Sequence, residues 1–118
     1  MKILIAGSRS ITDFDLSEYV PEETELIISG GAGGVDTLAE RYADKKKISK
    51  LILRPDYARY GRGAPLVRNK VMVDIADKVI IVWDKKSRGT KQTLDYIKKC
   101  EKEYILIYVD KDTETVCG

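Results

Sequence analysis

The 118-residue chain contains no histidine. That absence removes serine–histidine triads, histidine-ligated zinc and imidazole acid–base chemistry, because imidazole is the side chain that changes charge near neutral pH. Any catalysis here must use carboxylates, lysine, tyrosine, cysteine or positioning alone. Cysteine is scarce too. Cys100 and Cys117 are the only two, which fits neither a disulfide framework nor a metal spacing and reads as free thiols in a reducing compartment. No apolar run approaches the roughly 20 residues of a bilayer span. Ile3-Leu4-Ile5-Ala6 is too short for the core of an export signal, so the expectation is a cytoplasmic protein with no membrane partner. An excess of one charge is missing as well. A net charge of +2 argues against a dedicated nucleic-acid binder, although it says nothing about local clustering.

What is present is an ordinary globule, 43% hydrophobic and 34% charged, long enough for one domain over residues 1–118 with a core of its own. Short β-branched runs alternate with segments of helical period. The expected strands are residues 2–6, 25–29, 50–54, 78–82 and 104–109, nearly all apolar inside, as strands covered on both faces are. A short helix is expected at 14–20, ended by Pro21. In the next, Val35, Leu38, Ala39, Tyr42 and Ala43 keep helical spacing, and Lys45-Lys46-Lys47 suit a helix C-terminus. Pro65 opens a third, with Val67, Val71 and Ile75 as its expected inner face. Leu94, Ile97 and Cys100 or Glu101 mark a fourth. This alternation predicts an α/β fold, a Rossmann-like doubly wound parallel sheet of about five strands with helices on both faces.

Right-handed crossovers place every strand-to-helix loop on one sheet edge, where such folds bind ligands. Glycine, serine and arginine concentrate in those loops. Ser29-Gly30-Gly31-Ala32-Gly33-Gly34-Val35-Asp36 carries four glycines in five positions between a strand and a helix. Bare backbone can come close to a ligand there, and a helix start favours an anion. It is neither a Walker A loop nor a clean dinucleotide fingerprint, since no Gly-Lys-Ser/Thr follows and it succeeds the second strand. Asp36 either uses the helix dipole and a backbone N–H or accepts from ribose hydroxyls. Gly7-Ser8-Arg9 and Ser87-Arg88-Gly89-Thr90 are two further donor-rich turns, the latter also a helix cap. The loop at 55–63 interleaves tyrosine and arginine, as a solvated lid or a base-stacking surface does. It leads to Arg68-Asn69-Lys70, whose Arg68 starts a helix aimed at the same edge.

These turns, with Leu38-Ala39-Glu40, Ala76-Asp77-Lys78-Val79-Ile80-Ile81-Val82 and Ile5-Ala6-Gly7-Ser8-Arg9, resemble the SLOG superfamily over roughly residues 2–108. That group holds the Lonely Guy phosphoribohydrolases and the DNA-processing protein of competence, and the chain is most similar to its small stand-alone YspA-type branch. The resemblance implies a bound nucleoside phosphate or ADP-ribose-like ligand, sensed rather than cleaved, with no separate cofactor and no metal. It implies a homodimer or higher homo-oligomer. The family's catalytic arginine corresponds to Arg68. Its glutamate, in Gly-Gly-x-Gly-Thr-x-x-Glu, falls on Thr93, which has no carboxylate to offer. Phosphoribohydrolase activity on 5′-monophosphates would therefore need another carboxylate, Asp36 or Asp95. The likeness to the DNA-processing protein implies a third role, single-stranded DNA binding through residues 57–62 and Arg68, although Gly34 stands where that relative carries arginine.

Overall fold

The computed structural model describes residues 1–109 and 114–117. Five parallel strands form the sheet: β1 (Lys2–Gly7), β2 (Leu26–Ser29), β3 (Ser49–Ile52), β4 (Lys78–Trp83) and β5 (Tyr104–Val109), in spatial order 3-2-1-4-5. A sixth strand, β6 (Glu114–Cys117), runs antiparallel on the outer edge of β5. Three long helices connect them: α1 (Val35–Lys46) after β2, α3 (Ala64–Ile75) after β3 and α4 (Arg88–Lys99) after β4. Between β3 and α3 lie one turn of helix, α2 (Tyr57–Tyr60), and a 3₁₀ turn at Gly61–Gly63. This is the expected α/β architecture. Among the described residues no helix is long and apolar enough to cross a membrane.

Burial on both faces explains the continuous apolar strands. One face is built from Ile3, Ile5, Ile27, Ile80, Val82 and Ile107 and is covered by Val35, Ala39 and Ala43 of α1. The other is built from Leu4, Ile28, Val79, Ile81 and Leu106 and is covered by Met72, Val73 and Ala76 around α3 and Leu94 and Ile97 of α4. β3 is the exception. Its Ser49, Lys50 and Leu51 are exposed, as befits an edge strand kept soluble by a charge.

Two local expectations change. Residues 14–20 form no helix; the stretch is irregular and ends in a turn. Asp15 accepts a hydrogen bond from the Ser17 N–H at 2.9 Å, the local bonding by which aspartate diverts backbone from a helix, and Pro21 leaves no room to propagate one. Its Ile11, Leu16 and Val20 are buried on the α1 face nonetheless. On α3 the inner face is also different. Val71 is 45% and Ile75 36% exposed, while Met72 and Val73 are buried. At the end of α4, Cys100 is an exposed free thiol; the Cys117 side chain lies outside what is described.

Candidate functional site

The strand order reverses direction between β1 and β4, and open α/β sheets bind ligands at such a point. A cleft of about 450 Å³ sits there, within the usual range of small-molecule sites. Its walls come from four places: Gly7, Arg9 and Ser10 after β1; Ala32 and Asp36 at the start of α1; Pro65, Arg68 and Asn69 on α3; and Asp84, Lys86, Ser87, Gly89, Thr90 and Thr93 around the start of α4.

The β1 end is built for close approach. A Cβ on Gly7 would stand 2.0 Å from the Val82 carbonyl oxygen, so only glycine lets β1 finish against β4. Ser8, fully buried, ties three elements together: its N–H donates to the Val82 carbonyl at 3.0 Å, its carbonyl accepts from Val35 N–H, and its Oγ accepts from Asp84 N–H at 3.0 Å. Ser8 is thus a structural knot beneath the cleft, while Arg9 beside it lines the cleft.

The glycine-rich turn is likewise committed largely to its own architecture. Gly31 N–H donates to Ser29 Oγ at 3.2 Å, Ala32 N–H donates to Asp36 Oδ2 at 3.0 Å, and Val35 N–H goes to Ser8. A Cβ on Gly34 would meet the Arg9 carbonyl oxygen at 2.4 Å. Of the turn, Ala32 and Asp36 line the cleft, whereas Gly30, Gly31, Gly33 and Gly34 do not. Gly34 therefore lets the first two loops nest against each other, while Gly30 and Gly31 leave room for the Arg68 and Arg54 side chains.

Arg68 reaches under this turn. Its Nη1 donates to the carbonyls of Gly30 at 2.6 Å and Leu53 at 3.1 Å, and its Nε donates to Asn69 Oδ1 at 2.8 Å. Burial lowers its pKa, and the charge of Asp36 opposes that; a guanidinium stays protonated regardless. Burial raises the pKa of Asp36 in turn, against the Ala32 N–H and the positive charges of Arg68 and Arg9.

The loop after β4 is organised by Asp84, a residue the sequence reading passed over. Asp84 Oδ1 accepts from the N–H groups of Lys86 at 2.8 Å and Ser87 at 2.9 Å, and Oδ2 accepts from Ser10 Oγ at 2.7 Å. Burial pushes its pKa up, but these bonds and the one with Ser8 outweigh it and hold the carboxyl at about 2. The loop then delivers Lys86 to the cleft and caps α4 through Ser87 Oγ, which accepts from Thr90 N–H at 3.3 Å. The N–H groups of Arg88 and Gly89, at the positive end of the helix, have no acceptor among the described residues. The Arg88 side chain is exposed and does not line the cleft. The visible clue to Asp84 is its place just past a strand, where an aspartate bonds the backbone two residues on, here at Lys86, as an Asx-turn.

Of the two carboxylates expected to stand in for the missing glutamate, Asp36 lines the cleft and Asp95 does not. Thr93 lines the cleft, with its hydroxyl donating to the Gly89 carbonyl at 3.0 Å. Asp95 lies outside the cleft, paired with Lys91 on the exposed side of α4. The 57–62 segment is also outside it: Tyr57 and Tyr60 are exposed, and the Arg59 guanidinium sits 5.3 Å over the Tyr60 ring. The cleft therefore gathers three cationic side chains, Arg9, Arg68 and Lys86, two carboxylates and a helix start. No family model matches the chain, and no curated protein or solved structure matches it, so the cleft's own chemistry is what a function must rest on.

Proposed function

We propose that the chain is a SLOG-type nucleotide-binding domain that holds a nucleoside phosphate or an ADP-ribose-like ligand in the β1/β4 cleft, as a sensor rather than a hydrolase. One observation carries this reading: Arg9 from the loop after β1, Arg68 from α3 and Lys86 from the loop after β4 line a single cleft at the open start of α4. Each element alone has a structural reason to exist. Their convergence around a volume of ligand size is what favours an anionic guest, because a helix start and fixed cations together form an anion site.

Binding is preferred to N-glycosidic cleavage on the carboxylates available. Thr93 has none, and Asp95 is outside the cleft. Asp84, with its carboxyl at about 2, is too acidic to hold a proton for a leaving base near neutral pH. Asp36 is the single cleft carboxylate whose pKa moves upward, so a hydrolase would depend on it alone. Single-stranded DNA would instead use residues 57–62, which do not line the cleft, together with Arg68, and its affinity would fall steeply with salt.

Thermal denaturation with a panel of phosphates, nucleoside mono- and diphosphates and ADP-ribose tests the proposal. Stabilisation by at least one nucleotide is expected, reduced in Arg9→Ala and Lys86→Ala, with no free base released from monophosphates. If no nucleotide stabilises the protein, or both variants bind as the wild type does, the reading is wrong.

A further inference from the structure

Asp36 is 7% exposed, yet it forms part of the cleft wall. Its Oδ2 is held by the Ala32 N–H at 3.0 Å, while Oδ1 has no hydrogen-bond partner among the described residues. Asp84 is different: both of its oxygens are occupied by Ser10, Lys86 and Ser87. Asp36 thus has one carboxylate oxygen left over, on a side chain that is buried, held through its other oxygen and part of the cleft wall. Burial disfavours the ionised form of that side chain, so an occupant that donates a hydrogen bond is worth more there than at an exposed carboxylate.

The position of this carboxylate limits the donor. A side-chain carbon on Gly30 would lie 2.7 Å from Arg68 Nη1 and 3.1 Å from Asp36 Oδ2, so the bare backbone of Gly30 is the gap the two side chains share. The positive charges of Arg68 and Arg9 both act on Asp36. A ligand whose anion meets these cations must therefore carry its donor only a few bonds from that anion. In a nucleotide the group at that remove is the sugar; the base edge lies farther out. A carboxylate accepting from a ribose hydroxyl is a recurrent arrangement at the switch point of such sheets.

We infer that Asp36 reads the sugar, making the cleft selective for ribosyl over deoxyribosyl phosphates. The inference rests on the nucleotide-phosphate reading above. It assigns to Asp36 two simultaneous tasks: Oδ2 shapes the glycine-rich turn, and Oδ1 accepts from the ligand. It also sets the domain apart from a DNA module, whose ligand lacks the 2′-hydroxyl.

Calorimetric titration of the whole chain with adenosine 5′-monophosphate and its 2′-deoxy and 3′-deoxy analogues tests it. At least one deoxy analogue is expected to bind about tenfold to a hundredfold more weakly than the parent, the range for one hydrogen bond to a charged group. Asp36→Asn keeps an oxygen for the Ala32 N–H but turns an amide N–H₂ toward the cleft, so the gap between parent and analogue should close in that variant. Equal binding of all three compounds by the wild type overturns the inference, as does a gap that survives in Asp36→Asn, and both leave phosphate binding standing. Failure of the monophosphate, ADP-ribose and inorganic phosphate alike removes the nucleotide reading itself. Should Asp36→Asn not fold, the comparison of the three ligands on the wild type decides alone.

Discussion

Arg68 Nη1 donates a 2.6 Å hydrogen bond to the carbonyl oxygen of Gly30, 38 residues earlier in the chain. A second bond to the Leu53 carbonyl at 3.1 Å makes the guanidinium a clamp between the end of β2 and the end of β3. The fork shape of arginine is what allows this, since one planar group meets acceptors in fixed directions. Lysine at this position keeps the charge and loses the fork. Arg68→Lys is expected to cost about 1–2 kcal/mol and Arg68→Ala about 2–3 kcal/mol, because two carbonyls lose a charged donor. Urea denaturation reads both. A lysine variant as stable as the wild type would show that the charge alone matters.

Asp84 gives the fold an acid-sensitive latch. Its carboxyl is held at about 2, against an ordinary value of 3.8. A carboxylate with a depressed folded-state pKa stabilises the fold above its unfolded pKa, and that contribution is lost as pH falls toward the folded value. The loss should therefore occur between about pH 4 and pH 2. Because the group is partly open to solvent, its worth is discounted to about 1 kcal/mol. Stability measured in denaturant across this range should fall more steeply for the wild type than for Asp84→Asn. Parallel curves would show that the hydrogen bonds from Ser10, Lys86 and Ser87 do not act on the charge.

Much of this arrangement is legible in the sequence. The strands were readable because two-sided burial leaves nothing polar inside them, as in the Val79, Ile80, Ile81 and Val82 run. Gly7, Arg9, Ala32, Asp36, Arg68, Asn69, Ser87, Gly89 and Thr90 all line the cleft; what marks them in the sequence is their residue types, the family resemblance and the crossovers that bring strand-end loops to one edge. The expected site residues that do not line the cleft share a physical reason. Ser8, Gly31 and Gly34 carry the composition of a ligand loop, but whether an N–H faces a ligand or a neighbouring loop depends on packing between distant segments. Asp84, Lys86 and Ser10 were missed for the same reason. The bonds of Asp84 to Lys86 and Ser87 are local, but the one that joins it to Ser10 spans 74 residues, beyond the reach of any local pattern.

The helix α3 shows the limit of periodicity itself, and supplies a last test. It carries two apolar stripes: Val67, Val71 and Ile75 at intervals of four, and Met72, Val73 and Ala76 at its end. Both satisfy a helical period, so spacing cannot choose between them. The choice comes from the sheet, where Met72, Val73 and Ala76 pack against Leu4, Ile28, Val79 and Ile81. The same rotation carries Arg68 to the cleft. Val73 is fully buried and Val71 is 45% exposed. Val73→Ala should therefore cost about 1–3 kcal/mol through lost burial and a small cavity. Val71→Lys should stay within about 0.5 kcal/mol, as surface changes do. Guanidinium unfolding of the two variants compares them directly. The opposite ranking would turn α3 about its axis, take Arg68 away from Gly30, and dismantle the cleft with it.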